Sequence, residues 1–117
     1  MEYTKRLGAQ TVEFKNRPSV LGAAAVVGPK EAEGPLGLDF ENVETDPLLG
    51  QESWEKAESM LFSKATAECL RKSALSPKDV NFIVAGDLLN QCTASSFAAR
   101  SLKVPYLGIY GACSTMA

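Results

Sequence analysis

Cys113 stands in the run Gly111-Ala112-Cys113-Ser114-Thr115, directly behind a short apolar segment at 104–110. Small residues let the backbone turn sharply there, and Ser and Thr suit the first turn of a helix. A thiol held at the positive end of a helix has its pKa lowered and becomes a better nucleophile. The same pattern serves a plainer end, because small cysteines often fill buried strand-to-helix corners. Spacing alone leaves both readings open. A second cluster, Asp87 and Asn90 in AGDLLNQ (85–91), follows another apolar run that ends at Gly86. In open α/β sheets ligands bind outside the carboxyl ends of the strands, which makes both side chains candidates to line a site. Either can equally cap the next helix or close an Asx turn.

Several elements must position these residues. SVLGAAAVV (19–27), between Pro18 and the Gly28-Pro29 breaker, reads as a buried strand. Residues 28–50 read as a long polar loop, with turn signals in GPK, GPLG and DPLLG and six acidic side chains. A loop of that length inside a compact domain is uncommon and usually functional or disordered. The spacing of Trp54, Ala57, Leu61, Ala65 and Cys69 predicts a helix over 51–73, with Phe62 and Leu70 widening its stripe. Glu52, Glu55 and Glu58 lie early in it and Lys64, Arg71 and Lys72 late, as the helix dipole prefers. Ser76-Pro77-Lys78-Asp79 carries a cap, a proline at the first helical position and an acid three residues after the cap, the marks of a short helical turn. It feeds a strand at 81–85. A second helix over 93–103, with Phe97, Ala98 and Leu102 inward, leads to a third strand at 104–110, with Pro105 near its start. Strand, helix, strand, helix, strand predicts an α/β fold with parallel strands and right-handed crossovers.

Composition narrows the function classes. A net charge of −2 with scattered Lys and Arg lacks the basic footprint of a nucleic-acid or anionic-lipid surface. The longest apolar run, 20–27, is far short of the roughly 20 residues of a membrane span. No apolar segment of the signal-peptide kind follows the charged N-terminus. The chain is therefore expected to be made and kept in a cytosol. Its cysteines, Cys69, Cys92 and Cys113, are odd in number and lack metal-site spacing, and the chain has no histidine. No disulfide framework, zinc site or other metal site is expected.

Four segments together, GPKEAEGPLG (28–37), QESWEKAE (51–58), AGDLLNQ (85–91) and GACSTMA (111–117), resemble the stage V sporulation protein AD family, thiolase-like proteins of endospore-forming bacteria. GPKE…GPLG and AGDLLNQ are the specific part, because generic thiolases and ketoacyl synthases lack them. The resemblance implies a condensing-enzyme fold of two similar α/β halves, with residues 1–117 an incomplete N-terminal half. It implies binding of dipicolinate (pyridine-2,6-dicarboxylate) and its uptake into the developing spore. The implied partners are the membrane proteins of the same spore channel complex, with this protein peripheral at the spore inner membrane. A homodimer is compatible with the resemblance; no nucleic acid and no cofactor are called for.

Under this reading Cys113 falls where thiolases keep their acyl-accepting cysteine. Cys113, Asp87, Asn90 and Lys30 become the ligand-binding candidates, Lys30 supplying positive charge to a compact planar dianion. Asp87, itself an anion, is expected to orient a neighbouring donor or to act through a water or cation. The alternative is an acyltransferase of the thiolase or ketoacyl-synthase type using Cys113. It needs a base near the thiol and an oxyanion hole, and residues 1–117 offer no such base. A third reading, a scaffold for membrane partners, requires an exposed apolar patch. Because a strand entering a helix at Cys113 does not complete a parallel sheet by Ala117, the chain is expected to be part of a longer protein.

Overall fold

The computed structural model describes residues 5–91, 93–111, 113 and 115. Near the N-terminus, β1 (Lys5–Leu7) and β2 (Thr11–Glu13) form an antiparallel hairpin in which Arg6 faces Val12. Gly8 takes a positive φ of 66° in its turn. Residues 6–21 are exposed, so this hairpin stands clear of the packed core.

The 28–50 region is not featureless. It contains a short helix, α1 (Pro29–Ala32), with proline at the start where its missing N–H costs nothing. A 3-10 turn follows at Gly37–Asp39. Asp46 closes the last turn, its carboxylate accepting from the N–H groups of Gly50 and Leu48, which hold its pKa below the usual carboxylate range.

The long helix forms as its pattern requires. α2 (Trp54–Lys72) starts at Ser53, whose hydroxyl accepts from the Lys56 N–H at 3.3 Å, and ends with Arg71 and Lys72 in its last turn. Ala57 is its one fully buried residue; Leu61 and Leu70 are half-buried, and Lys56, Lys64 and Arg71 are exposed. Trp54 lies on the same stripe but is 57% exposed. Ion pairs Lys64–Glu44 and Lys72–Glu41 pin the acidic stretch along this helix.

Two strands appear where the short apolar runs predict them. β3 (Ile83–Ala85) and β4 (Tyr106–Gly108) pair in parallel, with Ile83 opposite Tyr106 and Ala85 opposite Gly108. α3 (Ala94–Leu102) makes the crossover between them. The protein is thus a mixed α/β chain with a small parallel sheet. The core is built from small residues: Ala57 of α2 meets a face of α3 carrying Ala94, Ser95, Ala98 and Ala99, which lets the two helices approach closely.

Two expectations need correction. Residues 19–27 do not form a strand paired with β3. They run extended along α2 and alternate in exposure, with Gly22, Ala24 and Val26 turned inward. The Cys69 thiol reaches the Gly22 carbonyl, and Val27 makes a single parallel bridge to Val43. The run has strand character but, among the described residues, no neighbour to complete a ladder. Phe97 is likewise not inward but 62% exposed: the buried stripe of α3 follows its small residues, and Phe97 instead lines an open pocket with Glu55, Lys56 and Ser59 of α2.

The turn before β3 carries a testable charge effect. The Asp79 carboxylate accepts from the Ser76 hydroxyl at 2.7 Å and from the Ser76 N–H at 2.8 Å, which holds its pKa below the usual range. Because the folded value is depressed, the contribution is present above the unfolded aspartate value of about 3.9 and is lost as pH falls through the lower folded one. An NMR titration of the Asp79 carboxyl should therefore show a midpoint below about 3.9, moving back towards it in Ser76→Ala. A midpoint unchanged by Ser76→Ala would mean that these hydrogen bonds are not kept in solution.

Candidate functional site

The carboxyl ends of β3 and β4 meet in one corner. The Ile109 N–H donates to the Ala85 carbonyl at 2.8 Å, extending the parallel ladder one step beyond the strands. Gly86 then passes so close to the second strand that a Cβ would fall on the Ile109 carbonyl oxygen and 2.9 Å from the Thr115 side chain. Only glycine admits that approach. Thr115 returns to the same place, its hydroxyl 3.4 Å from the Ile109 carbonyl.

Asp87 occupies the centre of this corner and is 3% exposed. One carboxylate oxygen accepts from the Thr93 N–H at 2.8 Å and the other from the Ser95 N–H at 2.5 Å. It thus caps α3 from six residues upstream, meeting N–H groups that the first helical turn leaves unpaired. Beside it, Ser95, 1% exposed, shares a hydrogen bond of 2.6 Å with the Tyr106 hydroxyl, which also donates to the Ala85 carbonyl at 3.2 Å. This polar network ties β3, β4 and α3 into one unit.

The segment after Asp87 is held from the other side. Glu58, one turn inside α2, accepts at Oε1 from the N–H groups of Leu88 at 2.8 Å and Leu89 at 3.4 Å. Its Oε2 is buried without a hydrogen-bond partner among the described residues. Leu88 and Leu89 point outward, 65% and 59% exposed.

The candidates from sequence fall in different surroundings. Asp87 is locked in the corner; Asn90 is exposed, its carbonyl accepting from the Thr93 N–H at 3.2 Å. Cys113 is an exposed free thiol beyond β4. Lys30 is exposed on α1, and no hydrogen bond or ion pair among the described residues joins it to the corner. The expected helix start at 111–115 lies partly outside the described residues, which omit Ala112 and Ser114. Glu58, Ser95 and Tyr106 carry the corner's polar structure; Ser95 and Tyr106 stand outside the quoted motifs, and Glu58, the last residue of QESWEKAE, reads there only as an early acid of the helix. The signal for Glu58 was ambiguous, since an acid early in a helix is accounted for by the dipole alone.

Among the described residues no group of three or more Cys, Asp or Glu gathers as a metal site, and no helix is long and apolar enough to cross a membrane.

Comparison with known proteins agrees with this layout of motifs. The chain is 41% identical over 111 residues to the stage V sporulation protein AD of Bacillus subtilis (strain 168), a match covering 95% of this chain and 33% of the relative. It therefore spans about a third of the length of the curated relative it matches. The family model for stage V sporulation protein AD matches residues 8–117, so this chain, with its glycine-tight, doubly braced corner, belongs to that family of sporulation proteins.

Proposed function

We propose that the protein binds dipicolinate and supports its uptake into the developing spore, using a thiolase-like fold of which residues 1–117 form part of the first half. The observation that carries this reading is the family model's match to residues 8–117, a range that includes every segment quoted for the resemblance. In this reading the protein is peripheral at the spore inner membrane and works with the membrane proteins of a channel complex. The corner at the carboxyl ends of β3 and β4 is the binding edge, the place where open α/β sheets take ligands.

The chemistry follows from what each group has left to offer. Asp87 spends both carboxylate oxygens on α3, so it meets no ligand charge directly and serves to orient the corner. Asp87 takes the N–H groups of Thr93 and Ser95, and the exposed Asn90 amide is a donor to one carboxylate of the dianion. Lys30, with its side chain in solvent, supplies the countercharge to the other.

Calorimetry on the intact protein tests the proposal. Dipicolinate should bind, benzoate should bind far more weakly, and Lys30→Glu or Cys113→Ala should each weaken dipicolinate by about tenfold or more, the equivalent of about 1.4 kcal/mol. Dipicolinate should also slow alkylation of Cys113 by iodoacetamide. Unchanged affinity in both variants would place the site elsewhere. The competing acyltransferase requires attack of the Cys113 thiolate on an acyl-CoA carbonyl, with coenzyme A leaving as the free thiol. A stable acetyl adduct on Cys113 by intact-mass spectrometry, with acetyl-CoA as the donor, would favour that reading over binding alone.

A further inference from the structure

The connection between β3 and α3 is braced by two carboxylates from different parts of the chain. Asp87 reaches forward to α3, while Glu58 reaches across from α2 to the backbone of Leu88 and Leu89. Neither leucine side chain is buried, so packing does not fix this stretch. Its conformation past Asp87 rests on the Glu58 hydrogen bonds and on the Asn90 carbonyl, which accepts from Thr93.

Glu58 does this at a cost. One of its oxygens takes both N–H groups, and the other is buried with no partner among the described residues. A buried polar atom left without a hydrogen bond is disfavoured, and such atoms in native structures call for an explanation. A glutamine would hold the same two N–H groups without a buried charge, and a solvent-facing acid at this position would serve the helix dipole as well.

We infer that Glu58 is a positioning residue, fixing the backbone at Leu88 and Leu89 and, through it, the placement of Asn90 at the binding edge. The ligand half of the inference rests on the dipicolinate reading; the backbone half does not. A single side-chain oxygen accepts from two successive N–H donors at once, a fork that alanine cannot make.

The experiment combines two readouts on the intact protein and its Glu58→Ala and Glu58→Gln variants. Amide hydrogen exchange at Leu88 and Leu89 reports the local hold, and calorimetry with dipicolinate reports its consequence. In Glu58→Ala, exchange at these two amides should speed up by about tenfold or more while amides in the middle of α2 stay protected. Dipicolinate should weaken by about tenfold, and Glu58→Gln should recover most of both effects. Unchanged exchange in Glu58→Ala overturns the inference whatever the ligand does. Faster exchange with unchanged dipicolinate affinity overturns its ligand half. If the unsubstituted protein does not bind dipicolinate, the binding reading fails by itself, and exchange alone then upholds or overturns the role of Glu58. Should Glu58→Ala lose protection throughout α2, Glu58→Asp decides, because it keeps the carboxylate but shortens its reach: selective faster exchange at Leu88 and Leu89 supports the inference, and none overturns it.

Discussion

Replacing Asp87 with alanine should cost the intact protein on the order of 2–3 kcal/mol and fray the first turn of α3. The side chain is 3% exposed and answers two backbone donors, one of which belongs to Ser95, itself 1% exposed. Alanine would leave the buried Ser95 N–H with neither a protein partner nor water. Asparagine keeps one acceptor oxygen, so Asp87→Asn should lose about 1 kcal/mol, since the two rank closely as caps. Urea denaturation of the two variants reads both values, and hydrogen exchange at Thr93 and Ser95 places the damage. A loss below about 0.5 kcal/mol for Asp87→Ala would mean that the corner is wet and Asp87 dispensable to it.

Gly86→Ala should be at least as damaging, about 3 kcal/mol, although it adds a single methyl group. The new carbon would fall on the Ile109 carbonyl oxygen, which is backbone and cannot rotate away. Relief requires the two chain segments to part. That stretches the bond from the Ile109 N–H to the Ala85 carbonyl and shifts Thr115, which lies two residues past Cys113. Stability and thiol chemistry should therefore change together: Gly86→Ala should alter the alkylation rate of Cys113 in the still-folded protein, whereas Asp87→Asn should leave it nearly unchanged. A Gly86→Ala protein within about 0.5 kcal/mol of the parent would show that the close approach is not kept in solution.

Much of the scaffold was legible because its signals are local. The stripe from Ala57 to Cys69 gave α2, the Ser76–Asp79 pair marked its turn, and short apolar runs beside Gly and Pro gave β3 and β4. The 19–27 run shows where local signals end. Its residues specify an extended backbone, but a strand is also a relation to a neighbour, and that cannot be read from one segment. Phe97 failed for a different reason. Size was weighed over position, while the helix buried alanines and a serine so that α2 could come near. In the site, Asp87 was placed correctly at the end of β3, yet its choice of helix cap was undecidable from spacing. Glu58 lies thirty residues from Leu88, and only the packing of α2 against this corner gives it a purpose beyond the helix dipole.

The extended stretch along α2 carries a hazard of its own. From Pro18 to Pro29 the chain holds no charge, and the backbone N–H groups of residues 20–26 meet no acceptor among the described residues. An uncharged, open-edged extended run of Val, Ala and Leu is a template for stacking with identical copies. What restrains it lies at its borders: Arg17 and Pro18 on one side, Pro29 and Lys30 on the other, repelling like chains and interrupting any ladder that tries to lengthen. The charge and proline at each border, Lys30 and Pro29 among them, are of the kind that limits such stacking.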